Sequence, residues 1–307
     1  MSTSPPAVVS PRPQAWQPSH HSRYGYAFFA PFLVVFLVVI VAPLLYAVYL
    51  SLFQDRLVGG NVFVGLDNYR RALTDTLFRA GLLRVAVFLA LQVPFMLGIA
   101  LIAALAIDSG RLRLPGLFRL GIFLPYAVPS VVAALMWGYL YGRDFGLVSN
   151  IGDLLGTDMP DLLGTSWMLA SIGNVVTWEY VGYNMLILYA ALRAIPEELY
   201  EAAEVDGAGE IRKAWSIKLP ALRPALLLAL VFSIIGSFQL FNEPNVLQSL
   251  APGVISTSYT PNMYASNLAF NGQQFNYSAA IAVVLGAVTA IVAYTVQLRT
   301  ARKEQLR

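Results

Sequence analysis

Six long apolar runs, separated by polar segments, dominate the hydrophobic pattern of this sequence. They lie at about 26–53, 82–107, 117–141, 166–192, 224–242 and 278–298. A helix of about 20 residues crosses the roughly 30 Å hydrocarbon core of a bilayer. The pattern therefore predicts an all-α, polytopic integral membrane protein with six transmembrane helices.

The polar segments at the two ends set the domain limits. Residues 1–23 contain five prolines and no apolar period, which indicates a disordered N-terminal tail. Residues 24–298 form the predicted membrane domain, and residues 299–307 form a basic C-terminal tail.

Three further polar segments lie inside the membrane domain. A short interfacial helix is predicted from residues that approximate one helical face, namely Leu66, Tyr69, Leu73 and Leu77. We expect polar loops over 143–165 and 243–277.

The composition excludes several kinds of site. The chain has 307 residues, of which 57% are hydrophobic and none is cysteine, so a disulfide framework or a thiolate metal site is impossible. His20 and His21 are the two histidines and lie in the polar tail, so we expect no metal site and no Ser/His/Asp set. No glycine-rich loop ending in Lys-Ser or Lys-Thr occurs. We therefore expect no catalytic residue and no cofactor bound by this chain.

The distribution of positive charge predicts the orientation. If the N-terminus lies inside, 14 of the 20 lysine and arginine residues lie on the cytoplasmic side. The first outer segment is an exception, because it carries five arginines: Arg56, Arg70, Arg71, Arg79 and Arg84. The overall bias predicts that both termini, and the segment 195–220, face the cytoplasm of a multi-pass cytoplasmic-membrane protein.

The segment 195–220, called the coupling hairpin below, has the pattern of a helix–turn–helix. Pro196 suits a first helical turn, and the acidic residues after it suit the positive end of the helix dipole. Asp206-Gly207 is a helix stop, since glycine can take a positive φ. A second helix is expected over 208–217, ended by Pro220. The first helix carries an acidic stripe with no basic residue beside it (Glu197, Glu201 and Glu204).

The run IPEELYEAAEVDGA, followed by Leu219-Pro220, resembles the cytoplasmic EAA loop of the carbohydrate branch of ABC-importer permease subunits. Its matching positions imply an ATPase-coupling site: Glu201, Ala202, Ala203, Asp206, Gly207, Ala208 and Pro220. Three other stretches, FVGLDNYRRAL, FLPYAVPSVVAALMW and FQLFNEPNVL, are similar to segments of sugar permeases. The chain departs from that pattern after the fifth run, where Leu250-Ala251-Pro252-Gly253 replaces the usual Gly-Gly-Pro.

The resemblance implies the type I ABC-importer permease fold and a set of partners. These are a second permease subunit, a pair of ATPase subunits that use ATP and Mg, an extracellular solute-binding protein, a di- or oligosaccharide substrate and the lipid bilayer. No nucleic acid is expected.

The fourth and fifth runs contain the candidate substrate path. Ionisable and polar side chains inside a membrane helix indicate a functional site, although such side chains also hold helices together. The candidates are Asn174, Trp178, Glu179, Tyr183, Asn184, Ser233, Ser237, Gln239 and Asn242. Two other functions remain open at this point: an ABC permease for a non-sugar solute, and a proton-coupled secondary transporter that uses Glu179.

Overall fold

The structure is a computed structural model, and it describes residues 22–56, 58–143, 146–157 and 159–305. His20, His21 and most of the predicted tail over 1–23 lie outside these described residues. The chain divides into two compact units, residues 1–47 and residues 48–307.

The first unit contains the N-terminal apolar run. It comprises helix α1 (Ser22–Phe36), a π-helical segment (Leu37–Val41) and the start of helix α2 (Ala42–Ser51). Pro31 lies inside α1 and does not interrupt it. The helix thus begins within the segment 1–23 that was predicted to be a disordered tail.

The second unit is helical apart from a single hairpin of strands in the described residues. Strands β1 (Phe53–Arg56) and β2 (Gly60–Phe63) pair antiparallel, with Phe53 opposite Phe63. This pair of strands is the one departure from the predicted all-α class.

The helices that follow the strands, up to the fourth apolar run, are α3 (Asp67–Thr74), α4 (Thr76–Asp108), α5 (Pro115–Phe123), α6 (Ser130–Leu140), α7 (Leu147–Leu155) and α8 (Met168–Leu192).

The remaining helices cover the coupling hairpin and the last two apolar runs. They are α9 (Glu197–Val205), α10 (Glu210–Lys213), α11 (Leu219–Ala221), α12 (Arg223–Phe238), α13 (Asn242–Leu250), α14 (Pro261–Phe270) and α15 (Phe275–Gln305). A 3₁₀ turn, Leu124–Ala127, follows α5, and a π-helical segment, Ala214–Lys218, joins α10 to α11.

Helices α4 and α8 pack against each other along most of their length and form the centre of the second unit. Small residues on α4 allow this approach: Ala100 and Ala104 are fully buried against Met185 and Leu188 of α8. Gly182 of α8 faces the backbone of Ile122 at the end of α5, where a Cβ atom would overlap the main chain. The proline-interrupted α5–α6 segment can therefore lie directly on α8.

Asn68, in the FVGLDNYRRAL stretch, has a structural role. Its side-chain amide donates hydrogen bonds to the carbonyl oxygens of Ser51 (2.9 Å) and Phe53 (2.8 Å), and only 4% of the residue is exposed. The predicted helix is present as α3, and Asn68 ties it to the chain that enters β1. Buried carbonyl groups at the end of α2 are satisfied in this way.

Asp75 connects α4 to the last two helices. Its carboxylate accepts hydrogen bonds from the hydroxyl groups of Tyr264 and Tyr277, both at 2.7 Å, and from the backbone amides of Leu77 and Phe78. Burial alone would raise the pKa of Asp75, but these four hydrogen bonds together lower it. The side chain thus caps α4 and holds α14 and α15 against it.

Several sequence-based boundaries were wrong. The segments predicted as loops over 143–165 and 243–277 contain α7 and the pair α13 and α14. These helices have only 9 or 10 residues, so they form no long periodic pattern and depend on buried contacts such as those of Leu247 and Met263. The basic tail is a continuation of α15, and Pro220 does not end the hairpin, because α11 runs through it to Ala221.

The number of membrane crossings stays a prediction. By length and hydropathy, three helices in the described residues can span a membrane: Tyr26–Ser51, Thr76–Asp108 and Phe275–Thr300. Two bent pairs raise the number to five; Pro115–Ala127 meets Ser130–Leu140 at 97°, and Glu210–Ala221 meets Arg223–Phe238 at 62°. Helix α8 has 25 residues, about 37 Å at 1.5 Å per residue, but polar residues in its centre lower its hydropathy.

Candidate functional site

A cavity of about 250 Å³ with a mixed polar and apolar lining lies between α4, α8, α12 and the start of α13. Its polar lining comprises Gln92, Ser130, Tyr180, Tyr183, Asn184, Ser233, Ser237, Gln239, Asn242 and Glu243. Six of the nine predicted substrate-path residues are among them, namely Tyr183, Asn184, Ser233, Ser237, Gln239 and Asn242. The structure therefore brings together polar residues that lie up to about 60 positions apart in the fourth and fifth runs.

Side-chain hydrogen bonds position several of these groups. The Gln92 amide donates to the Thr177 hydroxyl at 3.3 Å, and the Asn242 amide donates to the Ser130 hydroxyl at 3.0 Å. Ser233 and Ser237 each donate to the carbonyl four residues earlier on α12, at 2.8 Å. Their oxygen lone pairs stay available to accept hydrogen bonds in the cavity.

Aromatic rings form one side of the cavity. The Tyr183 ring stacks on Tyr126 with centroids 5.0 Å apart and planes at 17°, and Tyr180 meets Tyr126 edge to face at 5.8 Å. Tyr126 comes from the 3₁₀ turn between α5 and α6. The residue was missing from the predicted substrate path, although it lies in the FLPYAVPS stretch that resembled sugar permeases.

The other three predicted residues do not line this cavity. The Asn174 amide donates to the Tyr141 hydroxyl at 2.7 Å, and the Trp178 ring meets Trp137 edge to face at 5.9 Å. The first contact joins α8 to the residue that follows α6, and the second joins α8 to α6 itself. Both contacts hold helices together, which is the alternative role of polar and aromatic residues in membrane helices. Asn174 also borders a second, more open cavity of about 500 Å³ between α4 and α8.

Glu179 is buried beside the cavity rather than in its wall. Only 3% of the residue is exposed, and neither carboxylate oxygen has a hydrogen-bond partner among the described residues. Glu243, which sequence analysis placed in an outer loop, is 7% exposed and lines the cavity from the first turn of α13. The FNEP stretch carried Glu243, but only the fold of α13 brings it inside.

The turn of the coupling hairpin has a helix-capping geometry that explains its sequence. Gly207 adopts a φ of +74°. Its amide donates to the Glu204 carbonyl at 2.9 Å, and the Ala208 amide donates to the Ala203 carbonyl at 2.8 Å. These two hydrogen bonds form a Schellman motif, which satisfies the last carbonyl groups of α9 and requires a residue that tolerates φ > 0. The predicted helix stop at Asp206-Gly207 is confirmed.

Lys213 forms one ion pair between the two arms of the hairpin and one within the second arm. The Lys213 ammonium lies 2.9 Å from Glu204 and 2.6 Å from Glu210. The hydrogen bonds that the Lys213 ammonium donates to Glu210 and to Glu204 raise its pKa, with Glu210 the larger cause. The acidic stripe of α9 therefore has a basic partner on the second arm, which sequence analysis did not place beside it. Glu201 takes part in no ion pair among the described residues and is exposed.

Residues 97–303 match the family model described as "Binding-protein-dependent transport system inner membrane component". The chain belongs to this family. The family predicted from the hairpin sequence is thus confirmed, and the chain is a multi-pass component of the inner membrane. The alternative of a proton-coupled secondary transporter was wrong.

Curated relatives match between 77% and 94% of the chain. It is 31% identical to the lactose transport system permease protein LacF of Rhizobium radiobacter, over 92% of this chain and 95% of that protein. It is 31% identical to the arabinooligosaccharides transport system permease protein AraP of Bacillus subtilis, over 94% and 92% of the two chains. The diacetylchitobiose uptake system permease protein NgcF of Streptomyces coelicolor is 33% identical over 77% of this chain and 70% of that protein.

Solved structures share the fold. A chain of a bacterial ABC transporter involved in the import of the acidic polysaccharide alginate superimposes with a TM-score of 0.82. The match has 19% sequence identity and covers 92% of this permease and 96% of that chain. The type I permease fold predicted from the sequence is confirmed.

Proposed function

We propose that this permease is one of two membrane-spanning subunits of an ATP-driven importer that moves a di- or oligosaccharide into the cytoplasm. The cavity between α4, α8 and α12 carries the proposal, because it combines tyrosine rings with amide, hydroxyl and carboxylate groups. Sugars present apolar C–H faces to aromatic rings and hydroxyl groups to polar side chains. The relatives named for lactose, arabinooligosaccharides and diacetylchitobiose support this substrate class.

The proposed partners follow from the family and from a related assembly. The family is defined by dependence on a binding protein. A structurally similar alginate ABC transporter was crystallised with an alginate pentasaccharide-bound periplasmic protein. We therefore propose an extracellular solute-binding protein, a second permease subunit and a pair of ATPase subunits, with ATP hydrolysis carried by the ATPases.

The coupling hairpin is the proposed docking site for an ATPase. Its exposed apolar side chains include Val205 (89% exposed) and Ile211 (78% exposed), on either side of the Gly207 turn. Exposed apolar groups next to charged ones are typical of an interaction surface. Glu201, Ala202, Ala203, Asp206, Gly207, Ala208 and Pro220 are the proposed coupling residues. Closure of the ATPases would shift the hairpin and switch the helices between two packed arrangements.

Uptake into proteoliposomes tests the cavity. Both asparagines at the start of α13 have similar chemistry, but Asn242 lines the cavity and Asn245 is exposed outside its lining. Asn242→Ala should raise the KM for uptake of the transported sugar several-fold, whereas Asn245→Ala should leave it unchanged. Equal kinetics for the two variants would contradict the proposed substrate path.

The same system identifies the solute. Vesicles containing ATP, the ATPases and both permease subunits are supplied with the binding protein and a panel of labelled solutes. Uptake of di- or oligosaccharides that persists with a proton uncoupler supports the proposal. Uptake only of a non-sugar solute would favour the second candidate, an ABC permease for another substrate.

A further inference from the structure

A buried ion pair joins the coupling hairpin to α4. The Lys218 ammonium lies 2.6 Å from Oδ2 of Asp108, and the two side chains are 10% and 9% exposed. The carboxylates paired with Lys213 are 64% and 48% exposed. Solvent weakens exposed ion pairs, whereas removing one partner of a buried pair leaves an uncompensated charge. The Asp108–Lys218 contact is therefore the stronger constraint of the two.

Asp108 needs a cation from another part of the chain. It is the last residue of α4, where the helix dipole is negative, and the last turn of α4 contains no basic residue. Lys218 supplies the positive charge from the end of the π-helical segment Ala214–Lys218. The two residues are 110 positions apart, so tertiary structure alone brings them together.

Tyr200 of α9 completes this contact. The Lys218 ammonium lies 5.4 Å from the centre of the Tyr200 ring, within cation–π range. Burial raises the pKa of Tyr200, and the negative charge of Asp108 raises it further. Both arms of the hairpin therefore meet the end of α4 at one point.

The position of α4 makes this contact relevant to transport. The cavity has walls from α4, α8 and α12. The hairpin is continuous in the chain with α8 on one side and with α12 on the other. Helix α4 has no such covalent link to the hairpin, yet it carries Phe88, Gln92 and Met96 of the cavity wall. Gln92 lies 16 residues before Asp108, about 24 Å along the helix axis.

We propose that the Asp108–Lys218 ion pair makes α4 move together with the coupling hairpin, so that all three walls of the cavity follow the ATPases. Asp108 and Lys218 are then positioning residues for transport, and neither contacts the solute. This inference rests on the proposed function, because it requires that the hairpin is moved by an ATPase. Without the pair, the hairpin still moves α8 and α12, but α4 lags behind.

The test compares solute uptake with ATP hydrolysis in the reconstituted complex. Asp108→Asn and Lys218→Met should keep the ATPases bound and should keep hydrolysis responsive to the loaded binding protein. The number of solute molecules imported per ATP should fall about tenfold or more. The double variant Asp108→Lys/Lys218→Asp should restore most of this ratio, because it reverses the pair without removing it. Arg113→Met removes an exposed charge five residues after Asp108 and should leave the ratio unchanged.

An unchanged ratio in both single variants would overturn the inference. The proposed function fails separately, if the wild-type complex binds no ATPase or imports no solute with ATP. A loss of ATPase binding in the single variants, with no rescue by the charge-reversed pair, would also contradict the link, since it would indicate a purely structural role.

A reversible cross-link covers the case in which the single variants do not fold. The chain has no cysteine, so Asp108→Cys/Lys218→Cys places a single reactive pair. Bridging the two thiols with a bifunctional methanethiosulfonate should give a coupled transporter, and reductant should then lower import per ATP. The same ratio before and after reduction would overturn the proposal.

Discussion

Gly207 shows how one residue sets the geometry of the coupling hairpin. Its φ of +74° lies in the left-handed region, where a residue with a Cβ atom is strained by about 1–2 kcal/mol. Gly209, two residues later, has a φ of −72°, and no atom lies within 4 Å of the position that a Cβ atom would occupy. The two glycines therefore offer a matched comparison.

We expect Gly207→Val to redirect the second arm and weaken ATPase binding, while Gly209→Val has little effect. The physical reason is that valine disfavours a positive φ but fits the extended backbone at position 209. Co-purification of the ATPase with each permease variant measures the difference. Full ATPase binding by Gly207→Val would show that the hairpin is not the docking site.

Asp75 is a second residue whose role can be measured. It accepts two tyrosine and two backbone hydrogen bonds. Asp75→Asn should lower the unfolding free energy at pH 7 by about 1–3 kcal/mol, because an amide replaces a charged acceptor. Asp153→Asn, which changes an exposed carboxylate on α7, serves as the control. Thermal unfolding in detergent reports both effects.

The pH dependence of this stabilisation follows from the lowered pKa of Asp75. A carboxyl group with a lowered folded-state pKa stabilises the fold above its unfolded value of about 3.9 and loses that effect as the pH falls through the folded value. The stability difference between wild type and Asp75→Asn should thus be constant from about pH 8 to pH 5 and should shrink below about pH 4. A difference that does not change with pH would exclude the charge as its source.

At the level of helices, the bent α5–α6 pair depends on its contact with α8. The end of α5 lies directly against Gly182. Tyr126, in the 3₁₀ turn that follows, stacks on Tyr183, which lines the cavity. Prolines interrupt this segment at 125 and 129, and the resulting bend of 97° turns α6 away from α5. The positions of the two prolines are visible in the sequence, but the angle of the bend is not.

Gly182→Ala should therefore destabilise the permease, by about 1–3 kcal/mol, because the added methyl group overlaps the backbone of Ile122 and Phe123. Gly286→Ala, on the exposed face of α15, meets no atom within 4 Å and should be neutral. Melting temperatures in detergent separate the two variants. Equal stability would show that α5 does not approach α8 as closely as described.

Two arginines of the first outer segment have structural partners that explain part of its unexpected positive charge. The Arg71 guanidinium lies 3.8 Å from the centre of the Tyr277 ring. Arg84 lies 4.2 Å from the Tyr259 ring centre and donates to the Tyr259 carbonyl at 2.6 Å. Cation–π contacts of this kind hold the segments before α14 and at the start of α15 against α3 and α4. These charges serve packing, whereas the bias of the whole chain still predicts cytoplasmic termini.

The orientation of the whole permease is tested with single cysteines. Ser256 is exposed between α13 and α14, and Glu198 is exposed on the coupling hairpin. With a cytoplasmic hairpin, Ser256→Cys should react with an impermeant thiol reagent in intact cells, and Glu198→Cys should react only after permeabilisation. The opposite pattern would invert the topology and contradict the coupling role of the hairpin.

Local rules were enough to predict the membrane class and the turn of the hairpin, whereas the family followed from the resemblance of the hairpin sequence to the EAA loop. Long apolar runs indicate the bilayer directly, and Asp206-Gly207 favours a helix end because glycine tolerates the positive φ of a helix C-cap. Six of the polar residues selected from the sequence line the cavity, because polar groups inside apolar runs are conspicuous. Their role as a substrate path stays a prediction.

Only the tertiary structure decided which of these residues face one another. It stacked Tyr126 on the cavity residue Tyr183 and placed Glu243 in the cavity lining. It also assigned Asn174 and Trp178 to contacts with α6 and its C-terminal flank, and paired Asp108 with Lys218 across 110 positions. It also paired Lys213 of the second arm of the hairpin with Glu204 of the first arm. Packing between distant segments depends on the shape and approach of whole helices, and no residue's own chemistry specifies its neighbour.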